Sequence, residues 1–136
     1  MEPENKIEVS KSDYIDKLNK LCGKNDLIQF PKKYKDRLVL LGSIVLSLKP
    51  QKQYSEKLIN ESIKEWINKM ADKSYLDYVT LRRYLIDFGL LKRDPAGSEY
   101  YIAESKIDSL FEKSIWAIDP FSLIKEFRNK RKTQRH

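Results

Sequence analysis

The chain is short of the residues that most catalytic and metal chemistry needs. Of 136 residues one is cysteine, one is histidine and four are glycine. A lone Cys22 allows no internal disulfide, which fits a cytoplasmic compartment, and Cys22 with His136 cannot complete a zinc site. Gly23, Gly42, Gly89 and Gly97 are scattered, so no glycine-rich loop is available to cradle a phosphate or nucleotide, and no cofactor is expected. No apolar run reaches membrane-spanning length, which argues against a membrane partner. The opening Met1-Glu2-Pro3-Glu4-Asn5-Lys6 is polar and acidic, unlike a signal peptide. Carboxylate pairs such as Glu61 and Glu65 fall on polar helix faces, where solvation is their ordinary role. These absences lead to the expectation that the protein is not an enzyme.

What is present is positive charge, unevenly placed. Residues 30–102 carry 14 basic and 9 acidic groups, net +5, and residues 125–136 carry 6 and 1, again net +5. Residues 1–29 are net −1 and residues 103–124 net −2, within a total of +7. Two basic regions separated by a mildly acidic one favour a polyanionic partner, although a lysine-rich surface also serves solubility alone.

The apolar pattern is mostly helical. Ser10 or Ser12 can cap a first helix carrying Tyr14, Ile15, Leu18, Leu21 and Cys22, ended by Gly23. Phe30-Pro31 restarts the chain in extended form. A second helix over 34–48 is apolar nearly all round (Leu38 to Leu41, Ile44 to Leu46, Leu48), so it should form the centre of the core. The residues up to Tyr54 suit a short strand that pairs with a later hairpin. Ser55 caps a third helix with the stripe Ile59, Ile63, Trp66, Ile67, Met70. Ser74 and Asp77 stand at capping-box spacing before a fourth. That fourth helix buries Tyr78, Leu81, Leu85 and Phe88, turns Thr80, Arg83 and Asp87 outward, and carries Arg82 on its shoulder. Gly89 suits its left-handed end, and Asp94-Pro95-Ala96-Gly97 has the residue preferences of a type I turn in a hairpin. A continuous helix is expected over 104–118, with Ile107, Leu110, Phe111 and Ile115 inward. Asp119-Pro120 then starts a last helix bearing Phe121, Ile124 and Phe127.

Helix, strand, helix, turn, helix, hairpin is the winged-helix order. The expected fold is mainly α with some β: a winged helix-turn-helix over residues 30–102, a helical extension at 1–29, and C-terminal helices with a basic tail at 103–136. Terminal helices of this kind can pack together or across the axis of a homodimer, which would suit a palindromic DNA site.

From Phe30 to Tyr101 the chain resembles the bacterial domain-of-unknown-function family 2087. The matching residues are Phe30-Pro31, Arg37-Leu38, Tyr54-Ser55-Glu56, Ile59-Asn60, Leu81-Arg82-Arg83, Leu85, Asp87-Phe88-Gly89-Leu90-Leu91, Arg93, Gly97 and Tyr100. The resemblance implies a winged-helix-like fold and a transcription-linked role, without a settled biochemical activity. The chain departs from the family in a longer loop over 68–76. It also has Ile102 where the family tends to carry an arginine, which weakens a minor-groove role for the wing.

The expected partner is double-stranded DNA, with the helix at about 77–88 in the major groove and the wing at 91–102 on the backbone. Thr80, Arg82 and Arg83 are the candidate base readers, since a guanidinium matches guanine O6 and N7 bidentately. Lys92, Arg93 and Ser98 on the wing, with Arg128, Lys130, Arg131 and Lys132 in the tail, are candidate phosphate contacts. Each has a plainer reading. Arg82 can pair with Asp87 or an acid of the third helix, and the basic tail suits the negative end of its own helix. Among the aromatics Tyr75, Tyr78, Tyr84, Tyr100, Tyr101 and Trp66, spacing points to the core for most, with Tyr101 the best candidate for a base-stacking ring. Val79 and Ile86 on the outward half of the fourth helix keep a protein partner in view. RNA binding led by the basic tail is a further alternative.

Overall fold

Helix α2 (Tyr34–Leu46) is buried without a break from Leu38 to Val45, as its unrelieved apolar sequence requires. In the computed structural model, which describes residues 7–49 and 51–133, the other elements are arranged around it. Met1–Lys6, Arg135 and His136 lie outside the described residues. The elements are α1 (Lys11–Cys22), α2, β1 (Tyr54–Ser55), α3 (Glu56–Met70), α4 (Tyr78–Asp87), β2 (Leu91–Arg93), β3 (Glu99–Ile102), α5 (Glu104–Leu110), a 3-10 turn (Lys113–Ala117) and α6 (Pro120–Thr133). The three strands form one antiparallel sheet in the order β1-β3-β2, with Tyr54 opposite Tyr100 and Lys92 opposite Tyr101. The expected strand before α3 therefore pairs with the hairpin. The mainly helical fold with a small sheet, in winged-helix order from α2 to β3, is as the sequence suggests.

Local chemistry sets most boundaries. Ser10 and Ser55 accept the Asp13 and Leu58 backbone N–H groups at 3.1 Å and so cap α1 and α3. Asp119 accepts from the Ser122 hydroxyl at 2.7 Å and precedes Pro120 at the first position of α6. Gly89 is left-handed at φ 75°, as a helix end followed by a strand demands. At the end of α1 the left-handed residue is Asn25 (φ 55°), whereas Gly23 has ordinary helical φ. Gly23 is required for room: a Cβ there would collide with the Phe127 ring of α6. The buried Ser43 is satisfied, with the Trp66 indole donating to its Oγ (2.9 Å), which itself donates to the Leu40 carbonyl (2.7 Å).

The continuous helix expected over 104–118 is broken. The backbone at Phe111 is extended and forms a parallel bridge with Val9, with Val9 N–H on the Leu110 carbonyl (2.9 Å) and Glu112 N–H on the Val9 carbonyl (3.0 Å). The Phe111 ring lies where a Cβ on Gly42 would be, 2.7 Å from its Cζ. Seating that ring in the notch of α2 and pairing its backbone with the N-terminal segment outweighs the continuation of one helical ladder. Ile107, Leu110, Phe111 and Ile115 are all buried, so the inward set is right although the element is not. Helices α1 and α6 pack on each other within one chain, and Tyr14, Leu18, Cys22 and Ile124 are buried there.

Candidate nucleic-acid interface

Helix α4 begins where a helix at about 77–88 is expected, but Ser74 and Asp77 do not form the capping box their spacing suggests. Tyr75 N–H donates to the Ile28 carbonyl at 2.7 Å and holds the loop against the segment before α2. Ser74 caps no helix; its hydroxyl donates to the Ala71 carbonyl. The N-cap is Asp77, which accepts from Thr80 N–H at 2.8 Å and from the Thr80 hydroxyl at 2.9 Å. Those two hydrogen bonds, with the Arg83 charge as a smaller cause, hold the Asp77 carboxyl below its ordinary value. Leu81 and Leu85 are buried and anchor the helix, which leaves Val79, Thr80, Arg83 and Asp87 exposed along one side.

The two adjacent arginines part company. Arg82 turns inward: its Nη1 donates to Asn60 Oδ1 and lies 3.6 Å from Glu56 Oε1, which also accepts from the Tyr100 hydroxyl at 3.2 Å. Glu56, Asn60, Arg82 and Tyr100 thus tie α3, α4 and β3 into one polar cluster, and Arg82 is a fold residue rather than a base reader. Its pairing with an acid of the third helix is the plainer reading given above. Arg83 makes no hydrogen bond or ion pair among the described residues and is exposed.

On the hairpin, Lys92 and Arg93 are exposed. Ser98 belongs to the turn: its N–H and hydroxyl donate to Asp94 at 2.9 and 3.2 Å. Gly97 N–H bonds the Asp94 carbonyl (2.9 Å), closing the expected turn, and Gly97 is left-handed at φ 75°. Asp94 is held below its ordinary value, first by the Glu99 backbone N–H and then by Ser98.

In α6 the cations also divide. Arg128 Nη2 donates to the carbonyls of Cys22 (2.8 Å) and Met70 (3.3 Å), and Nη1 to that of Lys69 (3.0 Å). It therefore caps the C-termini of α1 and α3 together through its two terminal nitrogens, while its buried Nε has no partner among the described residues. This role had no signal in the sequence, because its partners are backbone groups in two other helices. Lys130 and Lys132 are exposed and Arg131 is half-buried. Arg131 and Lys132 line a basic cleft of about 520 Å³ with Lys24, Asn25 and Asp26. The basic end of α6 thus sits at the C-terminal end of α3, from which the loop to α4 departs.

The aromatic expectations need one change. Trp66 and Tyr100 are buried, Tyr84 stacks on Phe30 (4.6 Å between ring centroids), and Tyr78 lies under Lys64 Nζ at 4.5 Å. Tyr101 is half-buried, and the exposed ring among these six is Tyr75, 84% exposed in the loop before α4. It falls outside the periodic stripe of either neighbouring helix, so the spacing that assigns most of these aromatics to the core does not apply to it. Of the two apolar positions on α4, Val79 is exposed while Ile86 packs against the core.

Cys22 is buried, and burial pushes its thiol up to about 12 despite the nearby Arg128 charge, which makes it a packing residue. Among the described residues no three His, Cys, Asp or Glu side chains cluster to hold a metal ion, and no helix is long and apolar enough to cross a membrane.

No curated protein and no solved structure matches the chain. A family model matches residues 26–102, slightly beyond the stretch on which the resemblance was read and more than half of the 136 residues. It covers α2 to β3, including the Glu56–Asn60–Arg82–Tyr100 cluster and the exposed side of α4. The chain belongs to the bacterial family described as uncharacterized protein conserved in bacteria, DUF2087.

Proposed function

We propose that this protein binds double-stranded DNA and acts in transcription regulation, with α4 in the major groove and the hairpin on the backbone. The observation that carries this reading is Arg83. It is an exposed guanidinium, without a hydrogen bond or ion pair among the described residues, on a helix whose other side is fixed by Leu81 and Leu85. An arginine presented on a rigid helix loses little on docking and can meet guanine bidentately. Lys92 and Arg93 on the hairpin, and Lys130, Arg131 and Lys132 at the end of α6, supply the phosphate contacts. Arg82, Arg128 and Ser98 are left out of the proposed contact set, because Arg82 Nη1, both terminal nitrogens of Arg128 and the Ser98 hydroxyl are engaged within the fold. Helices α1 and α6 turn their apolar faces into their own chain. A homodimer through them would therefore meet on polar outer faces, and sedimentation would report it.

A protein partner on the same surface is the second reading. Ile28 (49% exposed), Tyr75 and Val79 (42%) offer apolar contact beside the start of α4. Fluorescence anisotropy with mixed-sequence duplex DNA at low salt separates the two. Binding at micromolar protein or tighter, weakened at least about fivefold by Arg83→Ala, is the expected result. No binding at micromolar protein, or binding indifferent to Arg83→Ala, removes the DNA reading.

A further inference from the structure

Resting on the DNA reading above, we infer that the first turn of α4 is built to recognise an A·T base pair, with Val79 against the thymine methyl and Thr80 accepting from the adenine amino group. Arg83 addresses a guanine within about two base pairs of it.

Three features of α4 converge on this. In helix-turn-helix proteins the N-terminal residues of the recognition helix come closest to the base edges, and Val79 and Thr80 are the second and third residues of α4. Val79 is 42% exposed although it is apolar and the helix packs its other side fully, so its methyls are left facing outward. A short branched side chain at the leading end of the helix can do little in a polar groove except meet the one apolar group there, the thymine C5-methyl.

Thr80 narrows the choice further. A free threonine hydroxyl can donate or accept, and so reads any base pair. Here the hydroxyl donates to Asp77 Oδ2 at 2.9 Å, which leaves only its lone pairs for an outside partner. In the major groove an acceptor meets adenine N6 or cytosine N4 and is repelled by guanine O6 and thymine O4. Of those two, only the adenine pair also carries a methyl for Val79. The Asp77 carboxylate at the same end disfavours a phosphate there, so this turn is directed to base edges rather than to the backbone. Val79 and Arg83 stand four residues apart on one side of the helix, about 6 Å along its axis. Residues three to four apart on a helix in the major groove reach neighbouring base pairs, so the thymine contact and the guanine contact fall close together.

The test selects binding sites for the full-length protein from a duplex library with a randomised core, then measures affinity for the selected duplex by anisotropy. The expected site has an A·T pair within about two base pairs of a guanine. Replacing that thymine by deoxyuridine, which removes only the methyl, should weaken the wild type about fourfold. The same replacement should leave Val79→Ala unaffected, and Val79→Ala, altered only at an exposed position, should keep the wild-type melting temperature. Thr80→Val should relax the preference for adenine. Selected sites without a thymine at that spacing, or equal deoxyuridine sensitivity in wild type and Val79→Ala, would overturn the inference while leaving DNA binding intact. Failure of the wild type to bind the library overturns the DNA reading and the inference together.

Discussion

The two basic regions, α4 with its hairpin and the end of α6, each turn one arginine inward and leave other cations outside, but the inward arginines differ in kind. Arg82 meets the side chains Asn60 and Glu56, while α4 itself is anchored independently by Leu81 and Leu85. Arg128 meets backbone carbonyls at the ends of α1 and α3, and it is a principal tie of α6 to the rest of the chain. Surface charge and stability are therefore separable at Arg83 on α4 and entangled at Arg128 on α6. Arg83 can be changed on α4 with little effect on folding, whereas on α6 the basic end follows a helix that Arg128 helps to hold.

The strongest way to break this contrast is through the anchors. Leu85→Ala should cost about 3 kcal/mol in chemical denaturation, since it opens a cavity under α4. Arg128→Ala should cost about 2 kcal/mol, because it strands carbonyls at two helix ends. Arg128→Lys should recover only part of this, since an ammonium lacks the fork. Little loss in Arg128→Ala would show that α6 is held by its apolar contacts alone.

Asp77→Ala should cost about 1 kcal/mol through the lost cap. The Asp77 carboxyl is held below its ordinary value of 3.8, so its contribution is present above that value and is lost as pH falls through the folded one. Wild type and Asp77→Ala should therefore differ in melting temperature at neutral pH and converge in acid. Arg83→Ala should change stability by less than about 0.5 kcal/mol while weakening DNA binding. A stability loss comparable to that of Arg128→Ala would erase the distinction between the two regions.

How far the sequence foretold this depends on the range of the forces involved. Caps and turns are local, and Ser10, Ser55, Asp119, Gly89 and the Asp94–Gly97 turn were legible from their neighbours. The start of α4 near residue 77 was legible from its apolar stripe, but the role of Ser74 was not, because Ser74 and Asp77 both look like caps and a hydrogen bond from Tyr75 to distant Ile28 holds the loop between them. The break at Phe111 was invisible because its apolar spacing fits a helix and only the Gly42 notch overrides it. Of the candidate contacts, Arg83 was placed by helical spacing alone, and Arg82 had a suspected acidic partner. Arg128 gave no hint, since carbonyl partners leave no mark on residue type.

The Phe111–Gly42 fit bears on how this family can vary. The family match ends at residue 102, yet α2, at the centre of that match, has a hollow filled by a ring from outside it. The family segment excised from this chain would carry an open groove down its central helix and should aggregate. In a relative without the C-terminal extension, a larger residue at the position of Gly42 would fill the same hollow from within. Glycine or bulk at that one position would thus serve as a marker of which members depend on an added C-terminal plug and which are self-contained.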